Sequence, residues 1–168
     1  MGNCICQNND NLKMATLDVE KFTLGGKSMY GKIVHIYDGD TVHIVFNINN
    51  TLTKFICRLA HIDTPEMTSK IAAEKEMAIK ARNYLFEKTT NMKLLDNNIT
   101  KKELDFLCGK SINLVLVKCF EFDKYGRLLV EIYEDRSSYK SFNSELIDMK
   151  YANPYNGKTK MVFDDIKE

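Results

Sequence analysis

Three β-periodic runs follow one another in residues 30–62 with only turn residues between them, which makes an antiparallel meander the simplest start to the fold. Residues 30–37 place Lys32, Val34 and Ile36 on one parity and Ile33, His35 and Tyr37 on the other. Asp38-Gly39 then gives a short hairpin signal, because glycine tolerates positive φ. Residues 41–46 return with Val42, Ile44 and Phe46 alternating, so Asp40 stands at the mouth of a hairpin. Residues 47–53, with the pair Asn49-Asn50, read as a second turn, and 54–62 as the third strand.

That third run leads into Arg58-Leu59-Ala60-His61-Ile62-Asp63-Thr64-Pro65-Glu66. Arg58 and Asp63 are five positions apart, so an unbroken strand would aim them at opposite faces. For both to serve one site, the strand must bulge or end between them. Pro65 favours an ending: it lacks a ladder donor and holds Thr64 extended, letting Asp63 and Glu66 converge around the turn. Taken alone, the segment is equally a strand terminus with solvated charges.

Downstream, Thr68 or Ser69 can cap a helix running to about residue 89, with Ile71, Ala78, Ala81 and Leu85 on one stripe and a Glu76–Lys80 pair outside. Residues 91–109 read as an inserted connection with room for a short helix. Residues 111–122 form a long β-run with Ile112, Leu114 and Leu116 on one face. It ends in the turn Asp123-Lys124-Tyr125-Gly126-Arg127, after which Leu128, Val130 and Ile132 alternate in a fifth strand. Residues 141–150 make a second helix that buries Phe142, Leu146 and Met149. The Gly157-Lys158-Thr159-Lys160 run is no P-loop, since its glycine-rich lead-in and following helix are missing.

A chain of 168 residues with 44% apolar content is long enough for one domain with a proper core. Its 24 basic residues against 23 acidic ones leave a net charge of +1, so any phosphate binding must be local. The five cysteines show no Cys-x-x-Cys pair and no zinc spacing; Cys57 and Cys119 are expected to be small core residues. His35, His43 and His61 follow no ligand pattern, and structural roles are expected for them. Residues 1–27 read as a flexible arm. Gly2, Cys4 and Cys6 are placed as a myristoyl-plus-palmitoyl anchor would need them, although Cys6 stands where Ser or Thr is usual; the alternative is a disordered leader. With no span-length apolar run and no secretory hydrophobic region, the expected location is intracellular, either cytoplasmic or held at a membrane through the N-terminus.

Five strands with a helix inserted after the third describe an α+β chain built on an OB-like five-stranded barrel with two helices. Asp38-Gly39-Asp40-Thr41, then the stretch from Arg58 to Glu66, then Asp123-Lys124-Tyr125-Gly126-Arg127 resemble the three signature segments of the staphylococcal nuclease, or thermonuclease, family. The resemblance covers about residues 30–155, giving a nuclease-like domain over 28–155 and a tail over 156–168. Phosphodiester hydrolysis needs an activated water and stabilisation of charge on the equatorial oxygens. Asp40 and Asp63, with the Thr64 carbonyl and waters, are hard oxygen donors suited to calcium. Glu66 can act as general base, and Arg58 and Arg127 can grip phosphate oxygens bidentately. The resemblance implies these same roles, together with calcium-dependent cleavage of DNA and RNA that leaves 3'-phosphates.

Lys124, Tyr125 and Tyr155 are the candidate substrate contacts, a base stacking on either tyrosine and a phosphate lying near the lysine. Asp38 is expected only to make its turn. His61 departs from the family, which usually carries glycine or an aliphatic residue there. The alternative class is a catalytically silent, OB-type nucleic-acid-binding module, and the presence of Asp40, Arg58, Asp63, Glu66 and Arg127 together argues against it. A monomer is expected.

Overall fold

The alternating runs close on themselves. A computed structural model describes residues 10–97 and 99–157, so Gly2, Cys4, Cys6 and residues 158–168 of the tail lie outside the described residues. After a single turn, α1 (Asp10–Lys13), the chain forms β1 (Ser28–Ile36), β2 (Thr41–Ile48) and β3 (Thr51–Leu59). A two-residue strand β4 (Ile62–Asp63) leads to helices α2 (Ala72–Thr90) and α3 (Lys101–Lys110). Then come β5 (Val115–Phe122), β6 (Leu128–Tyr133), α4 (Phe142–Asp148) and β7 (Asn153–Pro154).

The order β1-β2-β3-β6-β5 is a closed barrel, and β4 pairs with β7 outside it. All barrel pairs are antiparallel except β3 with β6, where Arg58 lies opposite Leu129. This is the OB-like α+β fold the runs imply, with three helices over the barrel where two were expected. Val42, Ile44, Phe46, Cys57, Leu59, Val117, Cys119, Leu128, Val130 and Ile132 fill it. Burying each large side chain contributes roughly 1.5–3 kcal/mol. Cys57 and Cys119 are buried free thiols, as expected of core residues.

The turns obey different constraints. Asn49 and Asn50 join β2 to β3 with φ of 48° and 63°, the two-residue left-handed hairpin loop that asparagine tolerates. Gly39 does not have a positive φ, contrary to expectation. Its reason is space: a Cβ there would stand 2.7 Å from the Ala81 Cβ and 2.8 Å from the Thr64 Cγ2.

The room for a short helix in residues 91–109 is taken by α3, which runs on to Lys110 and begins with a capping box in which Thr100 and Glu103 exchange side-chain-to-backbone hydrogen bonds. Three local expectations are corrected. Ile71 is the N-cap of α2 and is exposed, and the Ser69 hydroxyl accepts the Ile71 N–H just ahead of the helix instead of capping it. Residues 111–114 do not belong to β5. Ser111 and Asn113 donate side-chain hydrogen bonds to the carbonyls of Thr90 and Thr89 at the end of α2, leaving Ile112 exposed and Leu114 half-exposed. The inward face is therefore Val115, Val117 and Cys119. Met149 is half-exposed rather than buried, since α4 ends at Asp148 and Lys150 takes a φ of 59° while the Tyr151 N–H returns to the Leu146 carbonyl. No described helix is long and apolar enough to cross a membrane.

Candidate active site

The break required between Arg58 and Asp63 is present. β3 ends at Leu59, His61 takes a left-handed φ of 65°, and β4 resumes at Ile62. Outside groups hold this kink. The Ala60 N–H donates to the Val130 carbonyl at 2.7 Å, and the His61 carbonyl accepts the Tyr155 N–H at 2.9 Å. The Ala60 carbonyl accepts the Asn143 side-chain amide at 3.0 Å. With the chain turned over, Arg58 and Asp63 fall on one side: Arg58 Nη2 lies 2.9 Å from Asp63 Oδ1.

The other guanidinium nitrogen reaches the β1–β2 loop. Arg58 lies opposite Thr41 in the ladder, the Leu59 N–H donates to the Asp40 carbonyl at 2.8 Å, and Arg58 Nη1 meets Asp40 Oδ1 at 2.6 Å. Thr41 Oγ1 donates to the same oxygen, and the Thr64 N–H donates to Asp40 Oδ2 at 3.1 Å. Asp40, Asp63 and Thr64 are all buried. Asp38 holds the loop itself, its Oδ1 accepting the N–H groups of Asp40 and Thr41.

Burial, and then the neighbouring charge of Asp38, push the Asp40 carboxyl up to about 6 in spite of Arg58. Burial raises Asp38 as well. Arg58 bridges two of the three buried carboxylates, Asp40 and Asp63, while Asp38 is held by the loop N–H groups. Among the described residues, no group of three or more His, Cys, Asp or Glu is placed to hold a metal by itself. The side chains of Asp40 and Asp63 and the Thr64 carbonyl offer hard oxygens, a chemistry that suits calcium better than zinc.

Beside these carboxylates is a cavity of about 540 Å³ whose walls include Arg58, Glu66, Lys124, Tyr125, Arg127 and Tyr155. Asp40, Asp63 and Thr64 are not in its walls; Arg58, which contacts both carboxylates, is. Arg127 is set by Asp123, a residue the sequence reading gave no role. One Asp123 oxygen accepts the N–H groups of Tyr125 and Arg127, and the other accepts from Arg127 Nε at 2.8 Å. Gly126 completes the turn at a φ of 79°. Burial alone would raise Asp123, but the donors of Arg127 and Tyr125 outweigh it and hold the carboxyl below its ordinary value. Arg127 and Lys124 lie 5.4 and 5.0 Å from the Tyr125 ring centre. Tyr155 reaches the cavity through β7, whose Asn153 pairs with Asp63; no signal in residues 151–155 announced that strand.

A closed barrel in the order β1-β2-β3-β6-β5, with an arginine-bridged pair of buried carboxylates at the break after β3, places the chain in the OB-like α+β class. Residues 56–167 match the family described as staphylococcal nuclease homologue, and the chain belongs to that nuclease-type family, which acts on nucleic acids. It is 33% identical over 109 residues to an uncharacterized protein of Bacillus anthracis, covering 65% of this chain and 41% of that protein. It is also 29% identical over 146 residues to an uncharacterized protein of Methanocaldococcus jannaschii, covering 75% of this chain and 59% of that one. The chain thus spans less than two thirds of either relative. Asp38 and Asp40 precede the family match; Arg58 and the Thr64 N–H tie Asp40 to the site, and Asp38 joins it through the N–H groups of Asp40 and Thr41.

Proposed function

We propose that the protein is a calcium-dependent nuclease that hydrolyses phosphodiester bonds of DNA and RNA and leaves 3'-phosphate ends. The observation that carries this reading is the Arg58 fork, which joins two buried carboxylates from separate segments at the wall of a cavity that also presents Glu66 and Arg127. Asp40, Asp63 and the Thr64 carbonyl would hold the calcium, which when bound supplies Lewis-acid charge stabilisation and orientation.

The remaining roles belong to side chains. Glu66 takes a proton from the attacking water. Water oxygen bonds to phosphorus, the bond from phosphorus to the 5'-oxygen breaks, and the departing oxygen keeps the electron pair and gains a proton from solvent. Arg58 and Arg127 stabilise the charge that gathers on the phosphoryl oxygens, as planar forks suited to bidentate contact. Asp123 keeps Arg127 in place, and Tyr125 and Tyr155 offer faces to the flanking bases while Lys124 meets a phosphate.

The test is digestion of single-stranded DNA and of RNA in calcium, in magnesium and in chelator, with Glu66→Gln alongside. Calcium-dependent cleavage that falls by orders of magnitude in the folded variant is the expected result. Absence of cleavage in every condition, with folding intact, would make the barrel a nucleic-acid-binding module.

A further inference from the structure

A second cavity, of about 340 Å³, adjoins the first and is lined by Gly25, Gly26, Ala60, His61, Phe120, Glu121 and Leu129. The two share Ala60, His61 and Leu129, so a chain leaving the first would enter the second over His61. Its size falls at the lower end of small-ligand sites, roughly 300–1,000 Å³. The surfaces differ in kind. The first cavity presents arginines and a lysine, whereas the second is largely apolar with one carboxylate.

Its corner is aromatic. His61 and Phe120 meet edge to face, with ring centres 5.6 Å apart at 82°, so two flat walls stand at a right angle. The Lys118 ammonium lies 5.2 Å from the Phe120 ring centre. Glu121 sits at the rim, accepting from Thr23 Oγ1 at 3.0 Å, and its Oε1 occupies the space a Cβ on Gly25 would need. His61 is exposed and holds a left-handed backbone that glycine would adopt without cost, an outlier of the sort kept at ligand-contacting positions.

Charge decides what fits. The Glu121 carboxylate repels a phosphate, yet it can accept from the amino or imino N–H on a base edge. From this we infer that the second cavity binds the base of the nucleotide next to the scissile phosphate, stacked in the His61–Phe120 corner with its N–H edge toward Glu121, on single-stranded substrate. The inference rests on the nuclease reading and extends it to a second subsite. Lys118, beside Phe120, is paired with Glu131 at 3.3 Å, and would have to exchange that carboxylate for the backbone leaving this corner. Base-on-aromatic stacking is sequence-tolerant and changes affinity by about tenfold per base.

The experiment uses the full chain carrying Glu66→Gln, so that oligonucleotides survive, and fluorescein-labelled single-stranded DNA of two to five nucleotides read by anisotropy in calcium. Affinity is expected to rise by about tenfold at the addition that first reaches the second cavity. That step should disappear in Phe120→Ala and in His61→Gly, the latter chosen because glycine fits the backbone; melting curves confirm that both are folded. With Glu121→Gln the step should remain but change its preference among bases. A step of equal size in all variants, or no step in the parent, overturns the subsite. So does a His61→Gly effect confined to the pH profile of cleavage, which would make the ring a proton carrier. Cleavage by the Glu66-containing protein without the step sinks the subsite alone, and the step without cleavage sinks the nuclease reading alone.

Discussion

Asp40→Asn should make the metal-free protein more stable at neutral pH while removing its activity. The ordinary value of 3.8 and the folded value of about 6 bracket the effect, because Asp40 is harder to ionise when buried beside Asp38. A group whose folded value is raised favours the folded state fully below 3.8, and that advantage is lost as pH rises through about 6. At 1.36 kcal/mol per pH unit, the gap amounts to about 3 kcal/mol of stability absent at pH 7.5 and present at pH 3.5. Asparagine mimics the protonated carboxyl and does not titrate, so the variant should gain up to about 3 kcal/mol over the parent at pH 7.5 and nothing at acid pH. For a chain of this size that is roughly 6–12 °C in melting temperature.

Urea unfolding of both proteins in chelator at pH 7.5 and pH 4 measures the difference directly, because titrations elsewhere cancel between them. Calcium should then reverse the order. A cation present at 1,000 times its Kd stabilises the parent by about 4.1 kcal/mol, more than the deficit, and a variant lacking the Asp40 charge gains far less. Calcium affinity should also fall about tenfold per pH unit below 6, where the proton competes for the carboxylate. If Asp40→Asn is less stable than the parent at pH 7.5 in chelator, the Arg58–Asp40 bridge outweighs burial and the account of this cluster is wrong.

His61→Val should destabilise by roughly 2 kcal/mol, since a β-branched side chain resists the left-handed φ of 65°; denaturant midpoints would show it. Asn143→Ala removes two hydrogen bonds to the carbonyls of Ala60 and Val130 and leaves the buried Ile132 N–H without its acceptor. A loss of about 2–4 kcal/mol is expected from thermal unfolding. Arg127→Lys keeps the charge but loses the fork that meets Asp123 and, on the proposed nuclease reading, would grip a phosphate. Cleavage should drop by about 10²-fold or more while the melting temperature stays nearly unchanged.

Most of the barrel was legible because alternation in residues 41–46 and 128–132 keeps one face wholly apolar, and a register slip would expose it. The need for a break between Arg58 and Asp63 was legible too, from their parity, but not its place: β3 ends at Leu59, short of the residue 62 expected. What misled was local competition for the same residues. Ile112 and Leu114 carry β-type alternation, but Ser111 and Asn113 are taken by the carbonyls of α2, so the strand starts later and on the other parity. For α3 the signal was there to be read: Thr100 followed three residues later by Glu103 is a capping box ahead of Leu104 and Cys108. Gly39 shows the reverse case, the right residue for a turn but required by Ala81 and Thr64, which sequence proximity could not indicate.

The candidate site was legible in its residue types and illegible in its support. Three backbone groups at the kink around His61 are satisfied by residues far along the chain: the Ala60 N–H by Val130, the Ala60 carbonyl by Asn143 and the His61 carbonyl by Tyr155. A kink in an otherwise β-forming run costs ladder hydrogen bonds and, at a histidine, an unfavourable φ. It persists because α4 and β7 supply replacements that a straight strand could not use. Since Arg58 and Asp63 meet only across that kink, the 2.9 Å contact at the centre of the site depends on residues 143–155 as much as on the stretch that contains it. The same dependence explains why Tyr155 lines the cavity: the strand that closes the kink carries the side chain in beside Arg58 and Arg127.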